Sequence, residues 1–290
     1  SSVLSLLAAP SADGLYHRAI AHSATCAYRP SVDRTGQISE KLGVPQDDCL
    51  ERLQTLPAED IINLGLGGSV TVDGCVITRP TFDAIVERGS SGVPLIAGTT
   101  LTEGTLYTRG NDDALTHYAG LNKYQATDML CGQDPDPYLK ALRQAYPAAT
   151  AGRIHEMIWT DMFRRTTSRA AELSSAAGPG GWLYRFDLAP TLSDHRHLGA
   201  THGSENAFVF NIFENARTHG FTYHDRDDPV VRDIARAWSD TILQFMRTGQ
   251  PDDGAKWPVY ESRERANLTI DDALRVESDP DAIHRALWNA

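Results

Sequence analysis

The chain has 290 residues, 41% of them hydrophobic and 22% charged, an ordinary globular balance with apolar residues enough for a large core. A net charge of -11 and a pI near 5.3 repel phosphate backbones and anionic membranes, so no nucleic-acid partner is expected. No apolar run approaches the roughly 18–20 residues needed to cross a bilayer, so no membrane span is expected either.

In chain order, "SVLSLLAA" reads as a helix, "PSADG" as a turn and "GLYHRAIAHS" as a segment holding a buried strand. The first twenty residues show no basic leader and no clear cleavage pattern. "ISEKLGVPQDDCLERLQTLPAEDIINL" reads as a helical hairpin, with Pro45 and Pro57 as breakers near helix starts. "GSVTVDGCVITRPTFDAIVERG" predicts a turn at Asp73-Gly74 and a short helix stopped by Gly89. The short apolar run "VPLIAG" has the look of a central parallel strand, followed by the polar "TTLTEGT". "HEMIWTDMFRRTTSRAAELSSA" predicts a long amphipathic helix closed by "GPGG", and "WLYRFDLA" a second buried strand. "DPVVRDIARAWSDTILQFMRTG" predicts another long helix ended at Gly249, and "WPVY" and "LTIDDALRVES" predict late turns and edge strands. Helices alternating with strands imply an α/β fold with a largely parallel sheet.

In such sheets function collects past the C-terminal ends of strands. Glu103 follows "VPLIAG", and His202, in "LGATHGSENAFVFN", follows "WLYRFD" after a loop. A carboxylate on one imidazole nitrogen fixes the tautomer and stabilises the imidazolium that forms when the other nitrogen takes a proton. Each has a plainer reading: His202 as a structural histidine in a turn, Glu103 as a carboxylate facing its own helix start. The pair also needs a nucleophile, and no G-x-S-x-G turn occurs in the sequence. "GGSVT" lacks the last glycine, "GSSGV" has the wrong spacing, and Ser1 and Ser2 lack flanking glycines. No metal is expected: "HEMIW" at His155 lacks a second histidine, "HDRDDP" lacks calcium-loop spacing, and His195 and His197 read as surface residues.

Seven stretches in order resemble the type-B carboxylesterase family, the cholinesterase-like branch of the α/β-hydrolases. They are "SVLSLLAAPSADGLYHRAIAHS", "CLERLQTLPAEDII", "TVDG" with "RP", "GVPLIAGTTLTEGTLYT", "WLYRFD", "LGATHGSENAFVF" and "FMRTGQPDDGAKWPVY". The resemblance implies an α/β-hydrolase fold and a serine esterase with a Ser-Glu-His triad. His202 would be its base and Glu103 its acid, acting on a small-molecule ester without a cofactor. It gives Ser23 a supporting place beside the acid, although a buried serine satisfied by backbone is nearly as good a reading. Ser204 and Glu205 are expected as turn ligands and second-line partners. The nucleophile would lie upstream of residue 1, making residues 1–290 the C-terminal portion of one domain. A companion N-terminal segment or chain is then expected, because the buried runs "VPLIAG" and "WLYRFD" would otherwise leave an apolar sheet edge open. The competing reading is a non-catalytic binding or adhesion module of the same fold, or an inactive fragment.

The sequence departs from the family pattern at Thr102, where aspartate is common, which is expected to loosen or re-aim the acid loop. Ala24 replaces a glycine, and Val44 replaces a cysteine that some relatives bond. The four cysteines Cys26, Cys49, Cys75 and Cys131 show no ligand spacing and are expected as free thiols, favouring a cytoplasmic over a secreted setting. "NLT" at Asn267 spells a glycosylation sequon that matters only after secretion.

Overall fold

The computed structural model describes residues 2–66, 68, 70–108, 118–213, 224–252 and 257–288. Its centre is a five-stranded sheet in simple sequential order, β1 Ala19–His22, β2 Leu95–Thr100, β3 Gly181–Phe186, β4 Ala266–Ile270 and β5 Leu274–Ser278. The first four strands are parallel, and β5 returns antiparallel to β4. Every residue of β2, β3 and β4 is buried, which explains why "VPLIAG" and "WLYRFD" read as buried strands rather than alternations.

Two helical layers cover the sheet, and the pleat sorts side chains between them. Ile96, Trp182, Tyr184, Phe186, Leu268 and Ile270 pack with Trp238 and Phe245 of the helix Pro229–Thr248. Leu95, Ala97 and Leu183 pack on the other face with Leu4 and Leu7 of helix α1 (Ser2–Ala8) and with Ala170 and Ala171 of a 27-residue helix, Ala151–Ala177. The helix Pro229–Thr248 starts as its sequence dictates: Asp228 accepts from the Val230 N–H and Pro229 occupies the first turn. It ends on Gly249 in the left-handed conformation. The helix Thr81–Arg88 likewise ends on left-handed Gly89.

Several expectations need correction. The predicted hairpin resolves into three short helices, Thr35–Leu42, Cys49–Thr55 and Ala58–Asn63. "LTIDDALRVES", expected as turns and edge strands, supplies β5 at the sheet edge, but its first part belongs to β4, which lies inside the sheet between β3 and β5. "WPVY" forms no strand; Trp257 and Tyr260 fill the core instead. Asn267 is buried in β4, where no glycan can be carried by the folded chain. Among the described residues the sheet edges are β1 and β5, not "VPLIAG" or "WLYRFD", because β2 and β3 each have strands on both sides. Helices Tyr118–Met129 and Asp136–Ala145 were not foreseen, and the first of these has no apolar stripe to betray it.

Gly98 of β2 faces Tyr184 of β3 in register, and a Cβ there would lie 2.2 Å from the ring. Gly98→Ala is therefore expected to cost about 3 kcal/mol or more through overpacking. Urea unfolding measures it; a loss under about 1 kcal/mol would show that the sheet yields at this point.

Candidate active site

Three adjacent parallel strands deliver three polar residues to one edge of the sheet. Ser23 directly follows β1, Glu103 sits in the turn after β2, and His202 ends the loop after β3. Glu103 is completely buried. Its Oε1 accepts hydrogen bonds from the Ser23 hydroxyl at 2.5 Å and from the Thr100 N–H at 2.7 Å. Its Oε2 accepts from His202 Nδ1 at 2.5 Å. The carboxylate therefore dictates the histidine tautomer, and Nε2 is left with no hydrogen-bond partner among the described residues.

Local structure holds this arrangement in place. Ser23 has a φ of 44°, a left-handed conformation that is uncommon for serine, with its N–H tied to the Gly98 carbonyl at 2.8 Å. Gly104 lets the acid turn press on the long helix: a Cβ there would lie 2.0 Å from the Glu156 carbonyl. Two turns of the chain are stitched together around the pair. The Thr102 N–H donates to the Ala200 carbonyl at 3.0 Å, and the Thr105 hydroxyl donates to that of Leu198 at 2.8 Å. Thr102 was expected to loosen the acid loop, but its hydroxyl donates to the Leu198 carbonyl at 3.2 Å and tethers that loop instead.

An aromatic wall, barely visible in the order of residues, backs the imidazole. Phe163 stacks on His202 with ring centroids 4.8 Å apart, and Trp159 lies against both Phe163 and Tyr107. The only available signal was the four-residue spacing of Trp159 and Phe163 on one helix face. Trp159, Met162 and Phe163 line a cleft of about 370 Å³ together with Tyr28 and Arg29.

Below the pair lies a second polar cluster. Glu205 is buried beside Glu103 and Tyr184, and His22 shares a 2.5 Å hydrogen bond with the Tyr184 hydroxyl. Burial and then the Glu103 charge raise Glu205 from 4.5 to about 7. Burial pushes His22 down to about 4. Burial also opposes charge on His202, but the Glu103 hydrogen bond and charge outweigh it and raise the imidazole above its usual 6.5.

His155 uses Nδ1 with Asn122 at 2.6 Å and accepts at Nε2 from the Trp159 indole at 3.0 Å. Among the described residues no group of three or more His, Cys, Asp or Glu is placed to hold a metal ion. No helix among them is long and apolar enough to cross a membrane.

The carboxylesterase family model matches residues 1–288. The chain belongs to the carboxylesterase family. It is 28% identical to the para-nitrobenzyl esterase of Bacillus subtilis over 98% of its own length and 59% of that protein's. It is 24% identical to the human cocaine esterase, covering 91% of this chain and 51% of the relative. A PNB esterase structure superposes with a TM-score of 0.81 at 25% identity, and a Geobacillus stearothermophilus carboxylesterase with 0.79 at 27%; each match covers 99% of this chain. The chain spans 60% and 61% of those two structures. The fold is the α/β-hydrolase fold expected from the sequence.

Both raised groups hold their protons more tightly folded than unfolded. Between pH 4.5 and about 7 the folded state carries extra proton at Glu205, and above 6.5 at His202. Their joint contribution to stability is thus present at mildly acid pH and lost as pH rises. We expect a lower urea midpoint at pH 8 than at pH 5.5. Glu205→Gln should remove the Glu205 share, about 3 kcal/mol at full shift. An unchanged slope in that variant would assign the pH dependence elsewhere.

Proposed function

We propose that residues 1–290 are the C-terminal portion of one α/β-hydrolase domain, and that the complete protein is a serine carboxylesterase. His202 serves as base and Glu103 as the acid that orients it. The nucleophilic serine comes from a segment or chain outside these residues, since no G-x-S-x-G turn occurs within them. The observation that carries the reading is the buried Ser23–Glu103–His202 array at the ends of three neighbouring strands. The match to 59% of the Bacillus subtilis esterase and the free outer edge of β1 support a companion portion that continues the sheet.

In this mechanism His202 Nε2 takes the serine proton as the serine oxygen attacks the ester carbonyl. Glu103 holds the resulting imidazolium through Nδ1. Backbone N–H groups near the serine hold the oxyanion, each worth about 3 kcal/mol. The imidazolium then protonates the leaving alcohol, and water repeats the cycle on the acyl-enzyme. Ser23 and the Thr100 N–H keep the carboxylate aimed at His202, and Glu205 lies behind as a positioning group. The aromatic cleft accepts part of a small ester, and no cofactor has a role.

The test treats the native material with a fluorophosphonate serine probe and records denatured masses. Label on a companion polypeptide, or on a longer form of this chain, is the expected result. His202→Ala should slow that labelling by about a thousandfold or more, Glu103→Gln by about a thousandfold. Ser23→Ala removes one of three hydrogen bonds to the carboxylate and should cost about tenfold. Material consisting of the 290-residue chain alone, unlabelled, would overturn the esterase reading and favour a binding module.

A further inference from the structure

Cys26 and Cys131 are far apart in sequence but their thiols touch, with Sγ atoms 3.3 Å apart. Neither cysteine takes part in the chemistry above. Cys26 follows β1, three residues after Ser23, and lines the aromatic cleft. Cys131 lies just beyond the helix Tyr118–Met129 and lines a second cleft with Arg165. Both residues are half-buried, so a small reagent can reach them from either side.

The scaffold around the two thiols is already clamped. The Tyr28 hydroxyl donates to Asp128 at 2.6 Å, and Arg29 donates to the same carboxylate oxygen at 2.6 Å. These contacts join the segment after β1 to the helix that leads into Cys131. A disulfide needs its sulfurs about 2.05 Å apart, so bonding asks for a movement of little more than 1 Å. Cys131 has a φ of 55°, the left-handed position after a helix where glycine or asparagine is usual. A residue with a Cβ at that position is held there against its own preference, and here it presents a thiol to Cys26.

We propose that Cys26 and Cys131 form a redox-active dithiol that low-molecular-weight disulfides convert reversibly to an intrachain disulfide. Cys131 is the attacking thiol and Cys26 the resolving one. The hydrogen bond from Cys26 and the nearby Arg165 guanidinium pull the Cys131 thiol down to about 7 against its burial. The Cys26 thiol is pushed up by the same hydrogen bond and by burial. In the first step Cys131 thiolate attacks one sulfur of the small disulfide, forming a mixed disulfide and releasing one small thiolate. Cys26 then gives its proton to that thiolate, attacks Cys131 Sγ and expels the second small thiolate, which takes up a proton from solvent as the first thiol ionised into it. One small disulfide is reduced to two thiols, and the protein dithiol is oxidised to one disulfide.

The test equilibrates the native protein in buffers of graded reduced-to-oxidised glutathione ratio, quenches with acid, alkylates and maps peptides by mass. Cys26 and Cys131 should lose alkylation together, at one ratio inside the series, and reappear as a linked pair. Cys75, which is exposed, should form only a glutathione adduct. Cys26→Ser should trap Cys131 as a glutathione adduct. Both thiols alkylated at every ratio, a pair that stays linked at the most reducing ratio, or linkage to Cys49 or Cys75 would each overturn the proposal. The wild-type measurement needs no variant to fold, and mass reads it whether or not the protein hydrolyses esters.

Discussion

A carboxylate with no solvent contact is the constraint around which this molecule is arranged. Glu103 cannot be left without donors, because an uncompensated buried charge is among the most costly things a fold can contain. Its donors come from three places: the Ser23 hydroxyl just after β1, the Thr100 N–H at the end of β2, and the imidazole beyond β3. Satisfying one side chain thus fixes the relative height of three strand ends. Gly104 and the threonines at 102 and 105 serve the same end by letting neighbouring backbone come close.

The electrostatics below the pair follow from crowding polar groups where water is scarce. Burial, and then the charge of the neighbouring Glu103, push the Glu205 carboxyl upward. Among the described residues its Oε2 finds no hydrogen-bond partner, which is tolerable for a neutral acid and costly for a carboxylate. Tyr184 and His22 fill the remaining space as neutral polar groups. The imidazole above them is kept readily protonated by the carboxylate it touches and by the more distant acid.

Much of this was legible in the order of residues. The strands were plain because "VPLIAG" and "WLYRFD" are apolar without alternation, as strands buried on both faces must be. Glu103 and His202 stood out because a strand end followed by a glycine-flanked polar residue is where open α/β sheets tend to gather polar groups, and the structure brings the two into contact. What stayed hidden depended on contacts between distant segments. Phe163 looks like any core aromatic of a helix, and only the fold lays it on the imidazole. The polar Tyr118–Met129 helix has no apolar stripe, so its existence rests on packing with the long helix rather than on its own pattern. The membership of β4 in the sheet interior was hidden because "NLTI" is short and followed by charges that belong to the next turn.

The sequential order of the parallel strands has a further consequence, for timing. Ser23, Glu103 and His202 are separated by 80 and 99 positions along the chain, and each interval must pass through a crossover before its strand can dock. Loop closure over such distances is slow, so contacts of this kind form late. During synthesis Glu103 leaves the ribosome long before the imidazole that will complete its shell. Until then its turn has every reason to stay hydrated and open. The buried carboxylate is therefore a checkpoint: it can be sealed from water only after the last of its three donors has arrived, so a closed site reports that β1, β2 and β3 have been brought together.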